Sequence, residues 1–181
     1  MSAGNVIGSN KRSIVRPKRM HHAAWVTRDQ EMTRAFYEDV VGLPLAACWI
    51  EKNPVNDREY CHTCFELEDG GAIAFFDWAD QRTAPLPTEG PGHLALACDF
   101  ETQAVIKARL EAAGYATRLT DHGYCLSLYV TDPNNYRLEF AVDKPEAAQD
   151  VAANRESARD QLRRWVDGDH SVNNLQRSRN P

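Results

Sequence analysis

Three short stretches of the chain alternate apolar and polar residues with a period of two: 21–29 (HHAAWVTRD), 92–99 (GHLALACD) and 132–140 (DPNNYRLEF). A period of two marks a strand with one packed face. In the first stretch His22, Ala24 and Val26 oppose Ala23 and Trp25. In the second, His93, Ala95 and Ala97 oppose Leu94 and Leu96, and in the third Arg137, Glu139 and Ala141 oppose Leu138 and Phe140. His22, His93 and Glu139 therefore project from the face opposite the core, and His93 has small residues beside it.

Helical spacing follows the first stretch. Asp29 is a candidate N-cap, Met32, Phe36, Tyr37 and Val40 recur at helical intervals, and Gly42 is a stop. Three strands should come next, two of them located at Tyr60–Leu67 and Ala72–Phe76 around the hairpin signal Asp69-Gly70-Gly71. The second half repeats the order: His93, Asp99, a helix over roughly Gln103–Ala113 closed by Gly114, and strands around Ala116, Leu126–Val130 and Tyr136–Ala141. The pattern predicts an α+β fold of two tandem βαβββ modules, module one over 19–80 and module two over 90–143. Residues 1–18 are polar, with Lys11, Arg12, Arg16 and Lys18, and read as an extended arm. In the segment 144–181, Pro145–Val166 reads as a helix whose stripe of Val151, Ala158, Leu162 and Trp165 suits docking on the parent domain or a second subunit, and Ser171–Pro181 reads as a polar tail.

Composition narrows the function classes. With 181 residues, 43% of them hydrophobic, the chain can bury a sizeable core. A formal charge of −5 offers no basic footprint for nucleic acid. No apolar run approaches the length of a membrane span and no signal-peptide pattern is present, so a soluble cytoplasmic protein is expected. Five cysteines, an odd number, fit a reducing compartment. Cys61-His62-Thr63-Cys64 spells CxxC, but three residues apart on a strand the two thiols face opposite ways, so these read as ordinary strand cysteines.

Two imidazoles and one carboxylate form the ligand set of a mononuclear non-haem iron(II) site with open positions. Taken singly, each residue has a plainer reading: a polar strand-start His, or a Glu on the solvent side of a half-covered strand. Together they point to a site because the His recurs at the same place in both modules.

The order His-strand, Asp, Phe36-Tyr37-x-x-Val40-Val41-Gly42-Leu43, a second His-strand and a terminal Asp132-Pro133-x-x-x-x-Leu138-Glu139-Phe140 resembles the vicinal oxygen chelate superfamily over residues 19–143. That superfamily includes glyoxalase I, fosfomycin-resistance enzymes, methylmalonyl-CoA epimerases, bleomycin-binding proteins and type I extradiol dioxygenases. The run Thr120-Asp121-His122, Leu128-Tyr129, Asp132-Pro133 and Glu139 is similar to the extradiol signature, with Asn135 where Gly or Pro is usual; Asn also tolerates a positive φ.

The resemblance implies a curved mixed sheet around a metal-binding cavity, with His22, His93 and Glu139 holding Fe(II), or alternatively Mn(II), Ni(II) or Zn(II). It implies a catechol-like aromatic and dioxygen as substrates, and a homodimer or higher homo-oligomer. Tyr129 would steady charge on a bound catechol oxygen and His122 would act as its proton-transfer partner. As a strand aromatic Tyr129 also suits packing, and His122 also suits a solvated loop. No His lies between Phe65 and Gly92 to serve as the further acid–base His of extradiol enzymes, and His62 is the candidate to stand in.

The rival activities are a thiol or glutathione transferase, a lyase, an epimerase, or metal-free sequestration of a small molecule. The fourth glyoxalase I ligand aligns with Phe75 or Phe76. The fosfomycin-enzyme Thr is replaced by Ala24, and no Ser-rich potassium loop precedes Tyr129. Ala24, Ala95, Ala97, Phe75 and Trp78 are the expected apolar lining, suited to an uncharged diol. Arg137, which shares the parity of Glu139, either holds a substrate carboxylate or reaches solvent.

Overall fold

In the computed structural model, which describes residues 17–80, 92–145, 148 and 151–171, the chain order is that of the repeat. Module one runs β1 (His22–Val26), α1 (Gln30–Arg34) with a π-helical continuation (Ala35–Val41), β2 (Leu45–Lys52), β3 (Glu59–Glu66) and β4 (Ala72–Trp78). Module two runs β5 (Leu94–Ala97), α2 (Phe100–Ala112), β6 (Thr117–Asp121), β7 (Cys125–Thr131) and β8 (Arg137–Asp143), and α3 (Val151–Val166) follows. Each module forms a four-stranded mixed sheet, ordered β1-β4-β3-β2 in one and β5-β8-β7-β6 in the other. In both, the first strand pairs parallel with the last, and the remaining pairs are antiparallel. Nearly all of the expected N-terminal arm, and the tail after Ser171, lie outside the described residues.

Two elements differ from the pattern for local reasons. The strand left unlocated is β2, an edge strand whose residues from Cys48 onward are almost all exposed, so no alternation advertises it. Helix α2 begins at Phe100 rather than near Gln103 because Asp99 caps it, its Oδ1 accepting from Thr102 N at 2.7 Å. Phe100 is exposed and adds nothing to the helical periodicity. Asp29 caps α1 in the same way, accepting from Met32 N at 2.8 Å. Gly42 closes the first helix at φ +94°, and a side chain there would meet the Arg109 guanidinium at 2.7 Å.

A glutamine braces each helix to its sheet. Gln30 Nε2 donates to the carbonyls of Cys61 and Phe75, and Gln103 Nε2 to those of Leu126 and Phe140. The two pairs of carbonyls are related by the same 65-residue offset, so both helices hold equivalent points of their sheets.

One core serves both modules. Phe36, Tyr37, Phe65, Ile73 and Phe75 pack in the same cluster as Leu96, Ile106, Leu110, Leu128, Leu138 and Phe140. Phe75 is fully buried here and does not line the opposite face, a correction to the sequence reading that follows from register: Phe75 pairs with Thr63 and Trp25.

The turn from β7 to β8 is bound to module one by buried polar contacts. Tyr37 donates from its hydroxyl to Asp132 Oδ2 at 2.9 Å, Thr27 donates to Asn134 Oδ1 at 2.8 Å, and Asn134 Nδ2 donates to Thr33 Oγ1 at 3.1 Å. Asp132 Oδ1 also accepts from the amides of Asn134 and Tyr136, while Asn135 adopts φ +71°, as expected of Asn at that place. The expected helix of 145–166 is seen over Val151–Val166, and the described residues of its stripe, Ala158, Leu162 and Trp165, are exposed, Leu162 at 64% and Trp165 at 61%.

Burial holds the Asp132 carboxyl above the usual carboxylate range, against the bonds it accepts from Tyr136, Tyr37 and Asn134. A group that binds its proton more tightly when folded contributes most below the unfolded value of about 3.9, and that contribution is lost as pH rises through the folded value. Asp132→Asn keeps two amide acceptor contacts and removes the charge. Its stability relative to wild type should therefore increase between about pH 4 and pH 7, measured by urea unfolding. A difference independent of pH would show that Asp132 is not perturbed.

Candidate metal and substrate site

The face of sheet two turned away from the helices is set by its register. One row of paired residues crosses all four strands: Ala95 with Glu139, Glu139 with Tyr129, and Tyr129 with Arg118. His93 lies two residues before Ala95 and so joins the same side, as do Arg137 and Ala141 on β8 and Ser127 on β7.

His93 and Glu139 meet. Nε2 of His93 is 2.6 Å from Oε2 of Glu139, and the other carboxylate oxygen accepts from Ser127 Oγ at 2.5 Å. Glu139 is only 6% exposed and Ser127 is fully buried, so the carboxylate is held with little freedom, whereas the imidazole is reachable from solvent. Tyr129 and His122 form the second pair, hydroxyl to Nε2 at 2.9 Å. The rings of His93 and Tyr129 stand edge to face with centroids 5.8 Å apart, which joins the two pairs. Burial and the neighbouring Glu139 carboxylate push the Tyr129 phenol above its ordinary range, so it is held as a neutral donor. The Arg118 guanidinium lies over the Tyr129 ring, 4.7 Å from its centroid.

His22 is placed differently. It occupies in sheet one the position that His93 occupies in sheet two, two residues before Ala24, which pairs with Ala74 as Ala95 pairs with Glu139. The residue equivalent to Glu139 is therefore Ala74, rather than Phe75 or Phe76, and it cannot ligate. His22 is exposed and its Nδ1 lies 2.9 Å from Nδ1 of His21. Among the described residues no three His, Cys, Asp or Glu side chains are grouped to hold a metal ion, so His22 does not join His93 and Glu139 within this chain. The donor set of the pair, an imidazole nitrogen beside a braced carboxylate, suits a divalent cation that takes further ligands from elsewhere.

The face bearing His22 carries aromatic rings. Phe76 stacks on His62 with centroids 4.2 Å apart, Trp49 and Tyr60 flank them, and Trp78, as expected, shares the face with the Arg58 guanidinium 4.1 Å over its ring. His62, the candidate stand-in acid–base residue, is thus in sheet one, with Nδ1 3.7 Å from Glu51 Oε2. Cys61 and Cys64 point to opposite faces as their spacing requires, and the cysteines are free thiols. Arg118 and Ser127 escaped the sequence reading. Arg118 lies on a five-residue edge strand of weak alternation, and Ser127 is an ordinary strand serine until its partner is known.

Residues 19–140 match the model of the glyoxalase/bleomycin resistance protein/dioxygenase superfamily, and the chain belongs to that family. It is a superfamily that contains many enzymes. Among solved structures, a glyoxalase/bleomycin resistance protein/dioxygenase domain from Frankia sp. EAN1pec aligns at 16% identity and TM-score 0.58, covering 74% of this chain and 95% of that one. The fosfomycin resistance protein FosX from Listeria monocytogenes, solved with Mn(II) and sulfate, aligns at 16% identity and TM-score 0.53, covering 74% and 99%. The oxidase ChaP-H2 aligns at 18% identity and TM-score 0.53, covering 70% and 94%. These likenesses establish the fold. No curated protein matches the chain. Among the described residues no helix is long and apolar enough to cross a membrane.

Ser127→Ala leaves a buried carboxylate oxygen of Glu139 without its donor, at an expected cost of about 1–3 kcal/mol. Chemical denaturation of the variant measures this, and an unchanged midpoint would mean that Ser127 does not brace Glu139.

Proposed function

We propose that the protein is an extradiol-type dioxygenase that cleaves a catechol-like aromatic with Fe(II), acting as a homodimer in the cytoplasm. The observation that carries this reading is the His93–Glu139 pair flanked by the Tyr129–His122 pair on one sheet face. His93 and Glu139 would hold the metal from one copy, and His22 of a second copy would supply the third ligand. The exposed position of His22, and the exposed Leu162 and Trp165 of α3, support a second copy. When bound, the iron would bind the catechol and activate dioxygen for ring cleavage.

The other groups act from the protein side. Tyr129, held protonated by burial and by Glu139, donates a hydrogen bond to a substrate oxygen as that oxygen gives up its proton. His122, in hydrogen-bond contact with the phenol, accepts or returns the proton. Ser127 keeps Glu139 oriented, so its carboxylate needs no rearrangement when a ligand arrives.

Elemental analysis of protein purified without air or chelator should find iron. Manganese, nickel or zinc would favour an epimerase, isomerase or transferase, and a lack of metal would favour simple binding. His22→Ala, His93→Ala and Glu139→Ala should each lose tight metal binding while remaining folded. Refolding His22→Ala chains together with Glu139→Ala chains tests the shared site. If His22 acts across copies, mixed dimers recover one intact site with metal content and catechol turnover to match. If no recovery occurs and wild type is a monomer by light scattering, the two-copy site is wrong.

A further inference from the structure

The duplication supplies an internal comparison for the row that crosses the site. In sheet one the equivalent row reads Ala24, Ala74, Cys64, Ala47, all small and uncharged. In sheet two it reads Ala95, Glu139, Tyr129, Arg118. The fold plainly does not require a cation at the end of this row, since its own first module places alanine there. Arg118 is exposed, and among the described residues it makes no ion pair. Its Nη1 donates to Thr120 Oγ1 at 3.0 Å, leaving most of its five N–H groups for another acceptor. Strands in a sheet are about 4.8 Å apart, so the backbones of Arg118 and Glu139 stand two strands, roughly 10 Å, apart, with Tyr129 on the strand between them. A ligand ring laid along the row with an oxygen group at the Glu139 end would turn a substituent on its far side toward the Arg118 guanidinium.

We propose that Arg118 is a specificity-determining residue that binds a carboxylate on the substrate, so that the ligand is an aromatic acid rather than a neutral diol. This rests on the reading of this sheet face as the substrate surface. The guanidinium lies over the Tyr129 ring, 4.7 Å from its centroid, and a bidentate carboxylate contact would orient the ring along the row toward His93 and Glu139.

Titration calorimetry on the full chain, with and without added Fe(II) under anaerobic conditions, tests this with two ligand pairs. One is 3,4-dihydroxybenzoate against catechol; the other is 4-hydroxybenzoate against phenol, which do not chelate. Wild type should bind each acid about ten-fold or more tightly than its neutral counterpart. Arg118→Gln should abolish that preference, read as the ratio of acid to neutral affinity within the variant, Arg118→Lys should keep part of it, and added salt should weaken it in wild type. Equal affinities for acid and neutral ligands in wild type, or a preference that survives in Arg118→Gln, would overturn the proposal and leave Arg118 as a clamp on the Tyr129 ring. Should the diols gain nothing from iron while 4-hydroxybenzoate still depends on Arg118, the anion site stands and the dioxygenase reading falls.

Discussion

The buried junction between the turn after β7 and the first helix is the contact on which the rest of the molecule depends. Asp132 takes hydrogen bonds from the Tyr37 hydroxyl and from two amides of its own turn, and Asn134 bonds to Thr27 and Thr33 from the other module. Buried polar groups are costly unless every one is partnered, and no unpartnered buried side-chain nitrogen or oxygen is found among the described residues. The junction therefore admits one relative placement of the modules. It also fixes the start of β8, and with it Glu139 seven residues beyond Asp132.

A shared core makes the two sheets interdependent, but their outer faces have diverged. Sheet one presents rings, with Trp49, Tyr60, His62, Phe76 and Trp78 on the face that bears His22. Sheet two presents Thr120, Ser127 and Ala141 where sheet one has Trp49, His62 and Phe76, and it carries charge on this face at Arg118, Arg137, Glu139 and Asp143. One face is suited to cover an aromatic molecule and the other to hold its polar groups. Among the described residues neither makes a full set of three metal ligands alone, which is why the proposed centre draws on a second copy.

The helices and most strands could be read from the chain because their signals are local. Asp29, Asp99, Gly42 and Gly114 act within a turn of the helices they bound, and the alternation around His22, His93 and Glu139 is a property of adjacent residues. The π-helical stretch Ala35–Val41 leaves no comparable trace, since its altered hydrogen bonding does not change which residues are apolar. Strand β2 was announced only as the strand needed to complete the repeat, because an exposed edge has no buried face to impose a pattern.

The sequence by itself determined the repeated βαβββ order, the side of the strand from which each candidate ligand projects, and the fitness of Asn135 for a left-handed turn. Only the tertiary structure decided which of those ligands meet. Side-chain parity states that His22, His93 and Glu139 all leave the core face, but it carries no information about distance between strands. The pairing of β5 with β8 brings His93 to 2.6 Å from Glu139, while β1, paired with β4 in the other sheet, keeps His22 apart. The same pairings moved Phe75 into the core, set Ala74 opposite the place of Glu139, and aligned Arg118 with Tyr129, because strand register is a long-range property set by packing across the whole sheet.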